Sequence, residues 1–414
     1  MLVESWLERA ARTRPEREAV NGLAYAELRE QAAVAAGGLA ARGARAGDLV
    51  GIALPPGTAF VVALHAVWGL GAVAVPVDLR LGAAERAHVE RRCRLVVTEP
   101  IAGERPAPLA RQHDLRAAAA LLHTSGSTGA PKPVELTFGN WLWSALGSGV
   151  ALGVDPRERW LCALPLSHVG GLSIVVRSAV YATTAEVHER WETERVLAAL
   201  QRATLVSLVP TTLARLLDAG LREPPRLRTV LLGGAPSAPA LAERARAAGV
   251  PVTETYGLTE ACSQVTTGGP PLFCTRVELA PDGEILVSGP TVAGGGTLRT
   301  GDLGALDEQG RLRVVGRKAD TIVTGGENVA PTEVEAALAE HPAVAEAAAH
   351  SRPDPEWGEA IVATVVLRDG AQATADELRA HAAARLAAFK VPKAIAFADA
   401  LPRTTSGKLL RRAL

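Results

Sequence analysis

Two rhythms of apolar and polar positions alternate along this chain. Short, continuously apolar runs, Leu49-Val50-Gly51-Ile52-Ala53-Leu54, Arg94-Leu95-Val96-Val97-Thr98, Leu205-Val206-Ser207-Leu208-Val209 and Thr229-Val230-Leu231-Leu232, are separated by Ala/Arg/Leu-rich stretches of helical pattern. Strands that are apolar on both faces and lie between helices imply sheets covered on both sides, the α/β layer arrangement. The apolar stretch 59–77 is long enough to raise the question of a membrane span, but Gly69 and Gly71 interrupt it and Pro76 and Asp78 close it. It predicts a helix ending near Trp68, followed by a buried strand over 72–75. Between 277 and 315 the rhythm changes to short strands joined by Pro281-Asp282-Gly283 and Glu308-Gln309-Gly310, which predicts antiparallel hairpins in a meander.

Beyond Arg317 the pattern predicts a helix over 331–340, strands over 345–349 and 360–367, a helix over 375–387 and a strand over 394–397. That is a compact α+β unit. With 414 residues, the chain exceeds the size at which a single core stops growing. Two domains are expected, 1–317 and 318–414.

Composition narrows the function classes. Lys plus Arg and Asp plus Glu number 44 each, so no overall positive field is available for a nucleic-acid backbone or an anionic membrane. Neither nucleic-acid binding nor membrane insertion is expected, and any anionic ligand must be held by local groups. Cys93, Cys162, Cys262 and Cys274 form no CxxC pair and no zinc spacing, and read as reduced thiols of a cytoplasmic protein. The opening Met1-Leu2-Val3-Glu4-Ser5-Trp6 leads into a charged amphipathic stretch, so secretion is not expected. Whether the chain forms a homo-oligomer is left open.

Five segments carry candidate chemistry. In Leu121-Leu122-His123-Thr124-Ser125-Gly126-Ser127-Thr128-Gly129-Ala130-Pro131-Lys132 an apolar strand end runs into hydroxyls, glycines and a lysine, with a helical pattern from about Asn140. Glycines let backbone amides face an oxyanion, and the hydroxyls and Lys132 add donors, which suits a polyphosphate. It is not a GxxxxGK[ST] loop. Glu254-Thr255-Tyr256-Gly257-Leu258-Thr259-Glu260 comes after a strand ending near Val252. There a tyrosine can stack on a base, Thr259 can bond a phosphate oxygen and Glu260 can hold Mg²⁺; a plain turn with a partly buried tyrosine is the alternative.

Arg299-Thr300-Gly301-Asp302-Leu303, with Arg317 fifteen residues beyond Asp302, offers a carboxylate that either caps a turn or accepts both hydroxyls of a ribose. Gly316-Arg317-Lys318-Ala319-Asp320 with Gly325-Gly326-Glu327-Asn328 lies at the expected domain boundary, where paired glycines serve a turn or a hinge and narrow channel. Pro402-Arg403-Thr404-Thr405-Ser406-Gly407-Lys408-Leu409 is by itself a basic tail.

Taken together and in this order, the five segments resemble the adenylate-forming superfamily of acyl-CoA synthetases, peptide-synthetase adenylation domains and firefly-type luciferases, over nearly the whole chain. The resemblance implies a large N-terminal domain of α/β subdomains plus a β-meander, and a small, mobile α+β C-terminal domain. It implies that Thr124, Ser125, Gly126, Ser127, Thr128, Gly129 and Lys132 bind the ATP phosphates, that Gly233, Gly234, Ala235 and Tyr256 bind adenine, and that Asp302, with Arg317 nearby, binds ribose. Thr259 would touch the α-phosphate, Glu260 would carry Mg²⁺, Gly325 and Gly326 would line the coenzyme A channel, and Lys408 would reach the oxygen between carboxylate and α-phosphate. Position 319, where the superfamily usually has Lys or Asp as hinge pivot, is Ala319.

The segment Leu164-Pro165-Leu166-Ser167-His168-Val169-Gly170-Gly171-Leu172-Ser173-Ile174-Val175-Val176-Arg177 resembles the acyl-pocket region of the o-succinylbenzoate-CoA ligases of menaquinone biosynthesis, with their HxxGLSIxxR pattern. Arg177 inside an apolar run is costly to bury unpaired. Either an internal Asp or Glu satisfies it, or the second carboxylate of a dicarboxylic substrate does. His168 is either a pocket wall or a satisfied core histidine. The implied activity is an acid–thiol ligase using ATP, Mg²⁺ and coenzyme A. The alternatives are another aryl- or acyl-CoA ligase and a non-catalytic adenylate-binding protein.

Overall fold

The computed structural model describes residues 1–103, 105–124, 132–236, 239–403 and 409–414. Contacts divide the chain into two compact units. The first comprises Met1–Gly234, Arg244–Val277 and Val287–Leu298, and the second Ala235–Glu243, Glu278–Leu286 and Arg299–Leu414.

The first unit contains two large sheets. In the five-stranded sheet the order is Leu95–Val97, Leu49–Ile52, Val73–Pro76, Ala118–Thr124 and Lys132–Thr137, the first four parallel and the last antiparallel. Val73–Pro76 is buried at every position, as its apolar sequence requires of a strand covered on both faces. The helix before it, Thr58–Gly69, is buried on nearly all sides, and Gly71 (φ +71°) turns the chain back into the strand. The apolar stretch 59–77 is therefore the expected helix and strand. Among the described residues no helix is long and apolar enough to cross a membrane.

The eight-stranded sheet runs Ser263–Thr267, Val252–Leu258, Thr229–Leu232, Leu205–Leu208, Arg159–Cys162, Thr184–Val187, Glu18–Val20 and Leu23–Ala24. Its six inner strands are parallel and both edge strands are antiparallel. Helices cover the strands, and Trp68, Trp141, Trp160 and Tyr25 are among the largest fully buried side chains. Because the inner strands are parallel, their carboxyl ends lie along one edge, where the loops after 162, 208, 232 and 258 gather.

The second unit holds most of the meander and the whole C-terminal segment. The meander strands are Arg276–Leu279, Glu284–Ser288, Thr297–Leu306 and Leu312–Arg317, in that order, with Gly283 (φ +80°) and Gly310 (φ +73°) in two of the turns. Beyond it, helix Pro331–Ala339 and helix Ala375–Ala383 accompany a sheet ordered Glu327–Val329, Ile322–Thr324, Gly358–Leu367 and Val344–Asp354, with Ala394–Phe397 pairing parallel to Gly358–Leu367. A separate core of Val334, Leu338, Val344, Ile361, Val365 and Leu378 sits between these layers.

The helices and strands expected after Arg317 are present, together with a short hairpin over 322–329 that the apolar pattern does not single out. The units do not divide at 317/318. Residues 299–317 group with the C-terminal segment, because Thr332 Oγ1 donates to the Val315 carbonyl and Lys318 Nζ bonds Asp282 Oδ2 (2.6 Å) and Glu284 Oε2 (3.3 Å). These bonds tie meander, linker and helix Pro331–Ala339 together.

Candidate active site

The expected phosphate loop lies between Ala118–Thr124 and Lys132–Thr137, which pair antiparallel with Thr124 opposite Lys132. It is thus a hairpin connection, and helix Phe138–Leu152 begins only after the second strand. The alternation that marks this strand, Val134 and Leu136 buried and Glu135 exposed, is masked in the sequence by two prolines. Thr124 Oγ1 donates to the Lys132 carbonyl at 3.4 Å, and the Lys132 side chain is exposed. Ser125, Gly126, Ser127, Thr128 and Gly129 lie outside the described residues. The helix start is fixed by a capping box in which Asn140 N donates to Thr137 Oγ1 (3.1 Å) and Thr137 N donates to Asn140 Oδ1 (2.9 Å).

Gly233 comes directly after strand Thr229–Leu232, where an added Cβ would stand 2.7 Å from both Cγ2 and the carbonyl oxygen of Thr255. Only glycine permits that approach, and Gly234 continues with φ +79° into an exposed Ala235. Strand Val252–Leu258 extends beyond the expected end near Val252, so Tyr256 is half-buried within it. A register shift at Tyr256/Gly257 bends this strand against its partner. Thr259 and Glu260 then form a short 3₁₀ turn, closed by Cys262 N donating to the Thr259 carbonyl (3.0 Å) and by Ala293 N donating to the Glu260 carbonyl (2.8 Å). Cys262 (φ +53°) and Ser263 (φ +89°) both adopt the left-handed conformation that non-glycine residues avoid. Ser144 Oγ donates to the Cys262 carbonyl at 2.6 Å and helps hold this turn.

His168 is the N-cap of helix Val169–Tyr181. It meets two residues that carry no site assignment in the sequence, Asp78 as the end of an apolar stretch and Arg80 just beyond it. Arg80 Nε donates to Asp78 Oδ1 (2.8 Å) and its Nη2 to Asp78 Oδ2 (2.6 Å). The same Nη2 lies 2.9 Å from His168 Nε2. Burial raises the Asp78 pKa, but the side-chain and backbone bonds from Arg80 outweigh it and hold the carboxyl well below the usual carboxylate range. The signal available in sequence was an Asp and an Arg two residues apart just past a fully buried parallel strand.

Arg177, on the same helix, is 2% exposed. Among the described residues no carboxylate pairs with it. Its Nη2 donates to Ser144 Oγ (3.2 Å), its Cζ lies 5.5 Å from the Trp160 ring centroid, and its Nε has no hydrogen-bond partner. Desolvation by burial lowers its pKa. The expectation of an internal Asp or Glu partner is not met among the described residues.

In the second unit, Asp302 does not cap a turn but lies within strand Thr297–Leu306, opposite Arg317. Arg317 Nε is 2.7 Å from Asp302 Oδ1, with the carboxylate 7% and the arginine side chain 56% exposed. Gly325 (φ +58°) and Gly326 (φ +83°) are the two central residues of the hairpin joining Ile322–Thr324 to Glu327–Val329. Two successive positive φ values define a type I′ turn, which explains the glycine pair. A Cβ on Gly325 would stand 2.8 Å from Trp357 Cε3. Lys408 lies outside the described residues. Around it, Arg403 bridges to Leu409, Leu410 N donates to the Pro402 carbonyl (2.9 Å), and Arg411 bonds Glu335 through both Nη atoms (2.8 and 3.0 Å).

No three His, Cys, Asp or Glu side chains converge as a metal cluster among the described residues. Glu260 is a lone half-buried carboxylate, the kind of donor that suits Mg²⁺ shared with phosphate oxygens and water.

Comparison with known proteins accords with this arrangement. The family model described as AMP-binding enzyme matches residues 7–108 and 97–295, and the AMP-binding enzyme C-terminal domain matches 333–408. The 2-succinylbenzoate–CoA ligase of Bacillus licheniformis is 36% identical, covering 99% of both chains. That of Bacillus subtilis is 36% identical, covering 100% of this chain and 98% of its own. The solved structure of o-succinylbenzoate CoA synthetase from Bacillus subtilis in complex with its acyl-adenylate intermediate superposes with a TM-score of 0.93 at 35% identity, covering 100% of this chain and 98% of that one. ATP-bound MatB from Rhodopseudomonas palustris superposes with a TM-score of 0.90 at 25% identity, covering 99% and 97%. With its fold, its full-length coverage and its matched N- and C-terminal models, the chain belongs to the AMP-binding enzyme family.

Proposed function

We propose that this chain is an ATP-dependent 2-succinylbenzoate–CoA ligase of menaquinone biosynthesis, which forms an acyl-adenylate and then the coenzyme A thioester, releasing pyrophosphate and AMP. The observation that carries the reading is the full-length similarity to 2-succinylbenzoate–CoA ligases, from sequences 36% identical to a structure holding the acyl-adenylate. A carboxylate is a poor electrophile until one of its oxygens leaves with a good leaving group, and AMP is that group.

In this reading the loop from Thr124 to Lys132, with Ser125, Gly126, Ser127, Thr128 and Gly129, holds the phosphates of ATP. Gly233, Gly234, Ala235 and Tyr256 receive adenine, while Asp302, oriented by Arg317, accepts the ribose hydroxyls. Thr259 donates to the α-phosphate. Glu260 would hold Mg²⁺, which when bound neutralises charge on the polyphosphate. Lys408 stabilises charge that grows on the oxygen between acyl group and α-phosphate. A charge-assisted bond of roughly 1.5–3 kcal/mol corresponds to one to two decades of rate. A C-terminal domain from residue 318 moves between the half-reactions, and Gly325 and Gly326 border the path of coenzyme A.

Arg177 is the residue that selects the acid. A fully buried guanidinium with an unused Nε and no carboxylate among the described residues is suited to the second carboxylate of 2-succinylbenzoate. The four free cysteines fit a reducing compartment such as the cytoplasm. The test is to incubate the purified chain with 2-succinylbenzoate, ATP, Mg²⁺ and coenzyme A. Stoichiometric AMP and the thioester are expected, and their absence with this acid alongside turnover of a monocarboxylic acid would overturn the reading.

A further inference from the structure

Asp78, Arg80 and His168 form a cluster to which the proposed reaction assigns only the histidine. Asp78 and Arg80 lie just past the buried strand Val73–Pro76, and His168 caps helix Val169–Tyr181, so the cluster joins the carboxyl edge of one sheet to a helix covering the other. Two contacts compete for His168 Nε2. Asp78 Oδ2 lies at 3.4 Å and would require a proton on Nε2, whereas Arg80 Nη2 lies at 2.9 Å and would require a lone pair there. Guanidinium nitrogens only donate and stay protonated at every working pH. A proton on Nε2 would face an N–H at 2.9 Å, so the shorter contact decides.

We propose that Arg80, itself fixed by Asp78, is a positioning residue that makes His168 Nε2 the acceptor and leaves the ring proton on Nδ1, so that Nδ1–H is presented as a hydrogen-bond donor to an oxygen of the acyl substrate. The inference rests on the reading of His168 as an acyl-site residue. Asp78 grips Arg80 through two parallel bonds, Nε to Oδ1 and Nη2 to Oδ2, and a third from the Arg80 backbone N (3.0 Å). That fork leaves the guanidinium little freedom, and the acceptor it demands of His168 is set before substrate arrives. Among the described residues no acceptor is bonded to His168 Nδ1, and 38% of the side chain is exposed. A donor of fixed tautomer contributes to binding without waiting for proton exchange or ring rotation.

The test combines two readouts that a purely structural role would not move together. Two-bond ¹H–¹⁵N spectra of histidine-labelled protein, with His168 assigned by the peaks lost in His168→Asn, report its tautomer. The Nδ1–H form is expected in the wild type, and a shift toward Nε2–H in Arg80→Met. KM for 2-succinylbenzoate is expected to rise about tenfold in Arg80→Met while KM for ATP stays within about twofold. His168→Asn, whose amide nitrogen falls near the Nδ1 position, should keep most of the acid affinity and be insensitive to Arg80→Met. Arg80→Ala, which also removes the donor, replaces Arg80→Met should the latter fail to fold. An Nε2–H tautomer in the wild type, or a tautomer unchanged in Arg80→Met, overturns the proposal. A tautomer that shifts without any change in KM overturns the role assigned to it. If His168→Ala is then equally silent, the acyl-site reading of His168 falls too, while AMP release with 2-succinylbenzoate is judged separately.

Discussion

Asp302 and Arg317 face each other across neighbouring antiparallel strands, with Arg317 Nε 2.7 Å from a carboxylate that is almost wholly buried. More than half of the arginine side chain is in solvent, whereas the aspartate lies within its strand. In the proposed nucleotide site this carboxylate accepts the hydroxyls of the ribose. Asp302→Ala is expected to raise KM for ATP by about ten- to a hundredfold, the equivalent of one or two charge-assisted bonds. Initial rates at varied ATP check it, and an unchanged KM would remove Asp302 from the nucleotide site.

That no carboxylate pairs with Arg177 among the described residues makes a prediction of opposite signs. A buried guanidinium that lacks a carboxylate partner costs stability, and an apolar side chain of similar volume relieves that cost. Arg177→Met should leave Tm unchanged or raised while kcat/KM for 2-succinylbenzoate falls by about one to two decades. Thermal melts and initial rates check both halves. A lower Tm with kcat/KM intact would make Arg177 a structural residue.

His113 stacks on Phe138 with centroids 4.0 Å apart, and Trp6 and Trp68 meet it edge-on. Burial pushes its pKa down to about 4, and burial with the neighbouring His113 pushes His65 down to about 3. Both imidazoles are neutral in the folded chain at a pH where the unfolded chain protonates them. Between about pH 6.5 and 4 the unfolded state binds more protons, so stability falls as pH is lowered through that window. His113→Phe, which preserves the stacked ring, should flatten the dependence of unfolding free energy on pH by about one proton there. Denaturant titrations at several pH values measure the slope, and an unaltered slope would contradict it.

Gly325 combines a left-handed backbone with a Trp357 ring 2.8 Å from where a Cβ would stand. Gly325→Ala should therefore shift this hairpin at a cost of about 1–2 kcal/mol. If coenzyme A passes here, thioester formation is slowed more than pyrophosphate exchange. Measuring both half-reactions separates that outcome from a uniform loss.

Much of this architecture was legible because apolar runs bounded by glycine and proline have few alternatives. The stretch 59–77 and the segment beyond Arg317 show it. The grouping of residues 299–317 with the C-terminal segment was not legible, since it depends on Thr332 reaching Val315 and on Lys318 reaching two acids far back in the chain. Strand Lys132–Thr137 was hidden for a local reason, its period-two pattern being only one turn of alternation long beside two prolines. Asp78 and Arg80 were missed because their partner is 88 residues from Arg80, and an Asp and an Arg just past a buried strand read equally well as a helix-preceding turn. Arg177 was the reverse case. Its misfit within an apolar helix was visible in sequence, and a charge that breaks a pattern is easier to find than one that obeys it.

The central claim is the identity of the acid, and the most direct measurement is kcat/KM for AMP release with 2-succinylbenzoate against benzoate and a medium-chain fatty acid. The dicarboxylate is expected to exceed both by at least about a hundredfold, the effect of one desolvated carboxylate–guanidinium contact. Equal or better use of a monocarboxylic acid would contradict the account.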